Sequence, residues 1–244
     1  MAIAKTARVV SVERTAGGTC VVELEAGEPL AFAGGQYIIV DSGLTLPTGK
    51  AAKRAYSIFS SDAEQRRFRL AVKRIPDGVV SGFMHGLAPG AVVPFSGPWG
   101  KLGPLAGDPG GGATLVLATD TGISAALGLV QGARMRPLLP ATRFSWLQVA
   151  GDDFLPEALV RAQIPAGCSV VRFAALPPIG HPERVPHVRA LVAGELARPG
   201  GLARAFISGD GAVNYAVLDD LVAAGVPATR DSVESFFNMP KKSA

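Results

Sequence analysis

Residues 54–57 read Arg-Ala-Tyr-Ser, inside a stretch with the composition of a β-strand. Arg54 offers a planar fork of donors that suits a phosphate oxygen. Tyr56 lies two residues on, so on a strand it shares the face of Arg54, while Ser57 points the other way or meets a ligand edge with its hydroxyl and backbone. Taken alone, the set also describes an exposed strand arginine beside a packed tyrosine. A second stretch, "IPDGVVSGFMHGL" at 75–87, puts a glycine-led turn ahead of a short helix. Gly78 permits close backbone approach there. The amides of Val79, Val80 and Ser81 would point outward at the helix start, with Ser81 as N-cap or phosphate ligand, because helix N-termini attract phosphate. An ordinary capped helix after a turn would read the same way.

Other chemistries find little support. Cys20 and Cys168 stand far apart with no Cys-x-x-Cys partner, which disfavours a disulfide framework, a zinc site or a cysteine-ligated cluster. His85, His181 and His187 have no metal-ligand spacing, so no metal is expected. No nucleophile elbow or Ser-His-Asp order appears. The formal net charge of +4 is too diffuse for a nucleic-acid surface and fits a small anionic ligand equally well. The longest apolar stretch, "GATLVLATDTGISAALGLVQG", carries Asp120 near its middle, which a membrane span would resist. With no apolar leader at the start, the reading is a cytoplasmic protein without a membrane span.

The elements that must position these residues fall into two groups. The first hundred residues read as short strands: "ARVVSVERT" and "TCVVELEAG" about the turn Ala16-Gly17-Gly18, then "LAFAGGQYIIVD", "KRAYSIFSS", "RRFRLAVKRI" and "AVVPFSGPWG". Only "SGFMHGLA" suggests a helix. Many short strands at even spacing predict an antiparallel β-barrel or sandwich. At 101–112 the composition shifts to Gly and Pro, "KLGPLAGDPGGG", and this marks a domain boundary. Beyond it, "ATLVLATD" is a continuous apolar strand, as in a parallel sheet covered on both faces. Helix "ISAALGLVQGARM" follows. Strands "RFSWLQVA", "SVVRFAAL", "RAFISGD" and "SVESFFN" then alternate with helices "LPEALVRAQI", "VRALVAGELA" and "AVLDDLVAAG". That alternation predicts an α/β doubly wound parallel sheet. The expected domains are a β-barrel over 1–104 and a nucleotide-fold domain over 112–244. With 48% hydrophobic and 18% charged residues, a sizeable core can be buried.

The Arg-x-Tyr-Ser strand and the Gly-x-x-Ser segment, in this order and followed by "FSGPWG", resemble the ferredoxin–NADP reductase superfamily. That group includes flavin reductases and oxygenase reductases, and the resemblance covers almost the whole chain. It implies an FAD-binding barrel followed by a pyridine-nucleotide domain. Arg54 would hold the FAD pyrophosphate, Tyr56 would stack on the isoalloxazine, and Ser57 would sit near flavin N5, with Ala55 between them. The backbone of Val72, Lys73 and Arg74 would pass the flavin's pyrimidine edge or ribityl chain. Gly78, Val79, Val80 and Ser81 would cap the diphosphate.

In the second half the resemblance places the nicotinamide nucleotide's pyrophosphate on "LATDTGISAAL". Thr121 and Gly122 match the family's turn; Thr119 and Asp120 stand where glycines are usual, and Ala125 where a proline is. An Asp beside a pyrophosphate is repulsive unless turned away or neutralised. Asp152 and Asp153, after the next strand, suit a ribose diol better than a 2′-phosphate, which favours NADH over NADPH; they could equally begin the next helix. "FISGDG" resembles the segment facing the nicotinamide, with Ser208 at the Cys position, Gly209 matching and Asp210 replacing proline. "VESFFN" resembles the final strand, with Glu234 near the reacting centre and Phe236 near the flavin face. The residues beyond, "FNMPKKSA", could reach back to the adenine end of FAD or fray. The implied activity is hydride transfer from NADH or NADPH to FAD. No ferredoxin domain appears within these residues, so the expected acceptor is a separate molecule: a ferredoxin, an oxygenase component or free flavin. Two other readings stand beside it: a flavin-binding electron-transfer subunit that has lost nicotinamide binding, and a protein that keeps only the fold.

Overall fold

The computed structural model describes residues 4–104 and 111–239. The Gly/Pro-rich boundary segment overlaps 105–110, and the end of the C-terminal extension is 240–244; both lie outside the described residues.

The first domain is a six-stranded antiparallel sheet, in the order β4-β3-β6-β1-β2-β5. Its strands are β1 (Lys5–Arg14), β2 (Thr19–Ala26), β3 (Tyr37–Thr45), β4 (Ala51–Ser57), β5 (Arg67–Lys73) and β6 (Val92–Trp99). An isolated bridge between Ile58 and Leu70 brings the two edge strands together and closes the barrel. Alternation makes the interior. Phe68, Leu70 and Val72 of β5 are buried and join Val22, Leu24, Ile38, Val40 and Phe95 in one apolar cluster, while Arg67, Arg69 and Lys73 face the other way. The single helix here, α1 (Val79–His85), packs against β3, β4 and β5.

The second domain is a parallel sheet in the order β11-β10-β7-β8-β9. It comprises β7 (Thr114–Thr119), β8 (Thr142–Val149), β9 (Val170–Leu176), β10 (Arg204–Asp210) and β11 (Val233–Phe237). The helices are α2 (Ile123–Gln131), α3 (Glu157–Gln163), α4 (Arg184–Leu196) and α5 (Gly211–Ala223). All six residues of β7 are buried. Val116 and Ala118 face α2 and α3, and Leu115 and Leu117 face α4 and α5, so the strand is apolar throughout because both faces are covered.

The sequence predicts a helix running to 135, but α2 ends at Gln131. Gly132 adopts an extended conformation, and a 3₁₀ segment with Pro137 and Pro140 follows. Gly132 is also where the domains touch: a Cβ there would lie 3.0 Å from the Cα of Gly34. The domains share a core, since Val21, Phe59, Ala71 and Leu102 of the barrel cluster with α2, α3, Phe144 and Trp146. No helix among the described residues is long and apolar enough to cross a membrane.

Candidate functional site

Arg54 and Tyr56 pair with Val40 and Ile38 of β3 and so lie on the face that lines the barrel. They sit at its open edge, where α1 lies against β4. Arg54 is exposed, and Tyr56 is partly buried against the core. Burial pushes the Tyr56 phenol up to about 12, against the pull of Arg54. Ala55 and Ser57 point the other way. Ser57 is 5% exposed, and its hydroxyl is buried with no protein partner. An orphaned donor of this kind costs about 1–3 kcal/mol unless something outside the chain satisfies it.

The Gly78–Ser81 segment, expected to cap a phosphate, is built differently from its sequence reading. Gly78, not Ser81, is the cap residue, and no side chain caps the helix. Ser81 is buried; its hydroxyl donates to the Gly78 carbonyl at 3.0 Å and accepts from the Ile75 amide at 3.3 Å, which staples the turn shut. The Arg74 guanidinium lies over Gly82, where a Cβ would approach it to 2.6 Å. The chain just after β4 meets β5 at the Ile58–Leu70 bridge and through the bond from the Phe59 amide to the Arg69 carbonyl, and Val72–Arg74 run on past this seam. There the Val72 carbonyl contacts His85 Nε2 at 2.9 Å, and the Lys73 ammonium is ion-paired with Asp152 of the other domain. One of the two acids expected at a ribose is thus engaged across the domain boundary. The other, Asp153, is exposed and packs its backbone on Gly17.

The three residues expected to act on the substrate are connected through one that the sequence reading missed. Ser57 pairs with Tyr37 of β3, and Glu234 pairs with Ser208 across β11 and β10. Tyr37 and Glu234 meet beside Gly100: a Cβ there would lie 3.1 Å from the Tyr37 ring and 3.5 Å from Glu234 Oε2. Gly100 has φ +97°, a conformation that favours glycine and leaves room for the pair. Burial raises the Glu234 carboxyl from 4.5 to about 7, and burial together with Glu234 raises the Tyr37 phenol. Phe236 packs against the core shared by the domains.

The two βα turns of the second domain are fastened to each other. Ser208 Oγ donates to the Gly122 carbonyl at 2.9 Å, and Thr119 Oγ1 accepts from the Asp210 amide at 2.9 Å. Gly122 fits directly against the Ser208 backbone, and Gly209, with φ +125°, against that of Thr119. Asp120, Asp210 and Arg184 form a buried ionic group, at 5%, 0% and 2% exposure. Arg184 Nε donates to Asp210 Oδ2 at 2.7 Å, Nη1 to the Pro177 carbonyl at 2.6 Å, and Nη2 to Asp120 Oδ2. The Val149 amide donates to Asp120 Oδ1 at 3.3 Å, and the Trp146 indole to the Asp120 carbonyl at 3.0 Å. Burial pushes the Asp120 carboxyl up, against the pull of Arg184. Asp210 caps α5 through the Ala212 amide and accepts from Asn238 Nδ2, both at 2.9 Å. The chain after Phe236 therefore folds over the start of α5, where Asn238 and Met239 lie on Gly211. Asp120 is thus turned inward and ion-paired, while Thr121 stays half-exposed at the turn. Among the described residues no cluster of His, Cys, Asp and Glu could hold a metal.

Arg184 and Tyr37 were absent from the residues singled out in sequence. Arg184 reads as an ordinary helix-start arginine, and Tyr37 as a strand aromatic. The carboxylate partners of Arg184 lie 64 and 26 residues away and that of Tyr37 lies in the other domain, beyond any periodic signal.

Residues 8–103 match the oxidoreductase FAD-binding domain family. The chain is 34% identical over 134 residues to the reductase subunit of an aromatic O-demethylase from Amycolatopsis sp. (strain ATCC 39116 / 75iv2), covering 54% of this chain and 39% of that protein. It is 41% identical over 99 residues to ferredoxin–NADP reductase B of Sorangium cellulosum, covering 40% of this chain and 38% of the relative. The chain therefore spans about two fifths of the length of each curated relative. The fold superposes on a Neisseria gonorrhoeae ferredoxin NADP⁺ reductase solved with FAD and NADP, with a TM-score of 0.72 at 17% identity, covering 97% of this chain and 100% of the other. The family match spans the barrel, and the chain as a whole shares the two-domain fold of that ferredoxin NADP⁺ reductase.

Proposed function

We propose that the chain is an FAD-dependent NAD(P)H oxidoreductase that passes electrons to a separate acceptor, a ferredoxin, an oxygenase component or free flavin. The observation that carries this is the buried, unpartnered hydroxyl of Ser57, between Arg54 and Tyr56 on one side and Tyr37 and Glu234 on the other. A donor left open there fits a flavin. FAD, when bound, supplies hydride acceptance and one-electron release. The residues around it bind and orient. Arg54 and the amides of Val79, Val80 and Ser81 would hold the diphosphate, Tyr56 the ring, and Ser57 the ring nitrogen that needs a donor. The edge of Val72–Arg74 would flank the remainder. Glu234, poised near neutrality by burial, would hold or move a proton beside Tyr37. Thr121, Gly122 and Gly209 would receive the dinucleotide, with Phe236 beside the flavin face. The exposed Asp153 opposes a 2′-phosphate, which favours NADH, while Asp152 is taken up by Lys73.

One observation favours the electron-transfer-subunit reading: Ser208 and Asp210 spend their polar groups on internal bonds. An anaerobic absorbance titration separates the two. Loss of the flavin band near about 450 nm, a general flavin property, at lower NADH than NADPH concentration is the expected result. A yellow protein that neither nucleotide bleaches would establish the electron-transfer subunit instead.

A further inference from the structure

The sheet order places a topological switch point between β7 and β10. The chain leaves β7 toward β8 and β9, then returns to β10 on the other side. Ligands of such sheets bind in the crevice outside the carboxyl ends of those two strands. Asp120 directly follows β7, and Asp210 ends β10. These are two of the positions at which the chain departs from the superfamily's turns, so two buried carboxylates stand behind the crevice where an anionic dinucleotide would lie.

We propose that Arg184 is the positioning residue that makes these aspartate-bearing turns accept a dinucleotide, by holding both carboxylates inward and cancelling one of their charges. The inference rests on the reductase reading for the identity of the ligand. One guanidinium, delivered by the start of α4, reaches both acids, and all three groups are at most 5% exposed. Asp120 takes φ +49°, the left-handed conformation a glycine would adopt, while its side chain is held off the surface by Arg184 and the Val149 amide. The formal charge of the group is −1 with Arg184 and −2 without it.

The test uses NADH reduction kinetics of the FAD-loaded protein with ferricyanide as acceptor. Arg184→Gln should raise KM for NADH at least tenfold, a loss of about 1.4 kcal/mol in binding, with kcat within about twofold and FAD content unchanged. Asp120→Asn, which takes the group to zero charge, should lower KM about threefold, and Arg184→Lys should restore most of the wild-type value. A purely structural role predicts the same sign for Arg184→Gln and Asp120→Asn, since each breaks the same ion pair. KM rising in both, or unchanged in Arg184→Gln, would overturn the proposal. Should Arg184→Gln fail to fold, the neutral triple variant D120N/R184Q/D210N takes its place, with KM expected below wild type and a higher KM counting against the idea. If the wild-type flavin is reduced by neither nucleotide, the reductase reading fails separately. The charge argument is then read from calorimetric binding of ADP-ribose: opposite shifts in Kd support it, and no binding by either wild type or Asp120→Asn overturns it.

Discussion

At the Glu234 carboxyl, burial moves the acid from 4.5 to about 7 with no cation to offset it. The folded state then holds its proton over a range in which the unfolded chain has released it. Stability therefore falls as pH rises from about 4.5 through about 7, and the cost is fully present above that. The expected size is on the order of 3 kcal/mol at most, at about 1.4 kcal/mol per tenfold change in proton affinity. Urea midpoints of Glu234→Gln should lack this falling limb, so the variant gains on wild type between pH 5 and pH 8; parallel profiles would show that the carboxyl is not desolvated. Ser57 gives the opposite kind of test. Its hydroxyl has no bond to lose within the protein, so Ser57→Ala should leave the apo-protein as stable as wild type or up to about 1 kcal/mol more stable. Flavin reduction should slow roughly a hundredfold to a thousandfold, in line with removal of one positioned donor. A destabilised apo-protein with an unchanged reduction rate would remove Ser57 from the flavin site.

The elements were largely legible in the sequence because their burial is periodic. The alternation of Phe68, Leu70 and Val72, the unbroken apolar run of β7, and the βα alternation after it each reflect what packs on their faces. What was not legible is contact between segments. The sequence reading carried α2 through Gly132, since an isolated glycine only weakens a helix. In the structure the helix ends there: Gly132 is extended and lies on the backbone of Gly34 in the other domain. The Arg184 group escaped for the same reason: three charges at 120, 184 and 210 carry no spacing that announces a partnership. The α2 interface makes its own prediction. Gly128 presses on the Ile58 carbonyl so closely that any Cβ would overlap it, and backbone cannot swing aside as a side chain can. Gly128→Ala, although it favours an isolated helix by about 1 kcal/mol, should therefore destabilise the protein by about 1–3 kcal/mol through overpacking. Thermal denaturation that showed stabilisation instead would mean that α2 does not rest on β4 in this way.

Across the whole molecule, the proposed site is divided between the domains: Ser57 and Tyr37 come from the barrel, Glu234 and Ser208 from the parallel sheet, and their spacing is only as fixed as the interface. That interface is not a polar hinge. Val21, Phe59, Ala71 and Leu102 of the barrel are at most 7% exposed and pack into the cluster that contains Phe144, Trp146 and the inner face of α2. Around this apolar seam run the Lys73–Asp152 ion pair, the bond from Gln131 Nε2 to the Phe59 carbonyl at 2.8 Å, and the Asp62 carboxylate, which accepts from Gly34 at 3.0 Å and Ala133 at 2.9 Å. Separating the domains would expose these apolar side chains to water and break the bonds around them, so neither domain should unfold without the other. Calorimetry of the whole chain should accordingly show one endotherm, with calorimetric and van't Hoff enthalpies in agreement. Two resolved transitions would mean that the interface is of the small, mobile kind common between domains, and the row from Ser57 to Ser208 would then be assembled only when ligand draws the domains together.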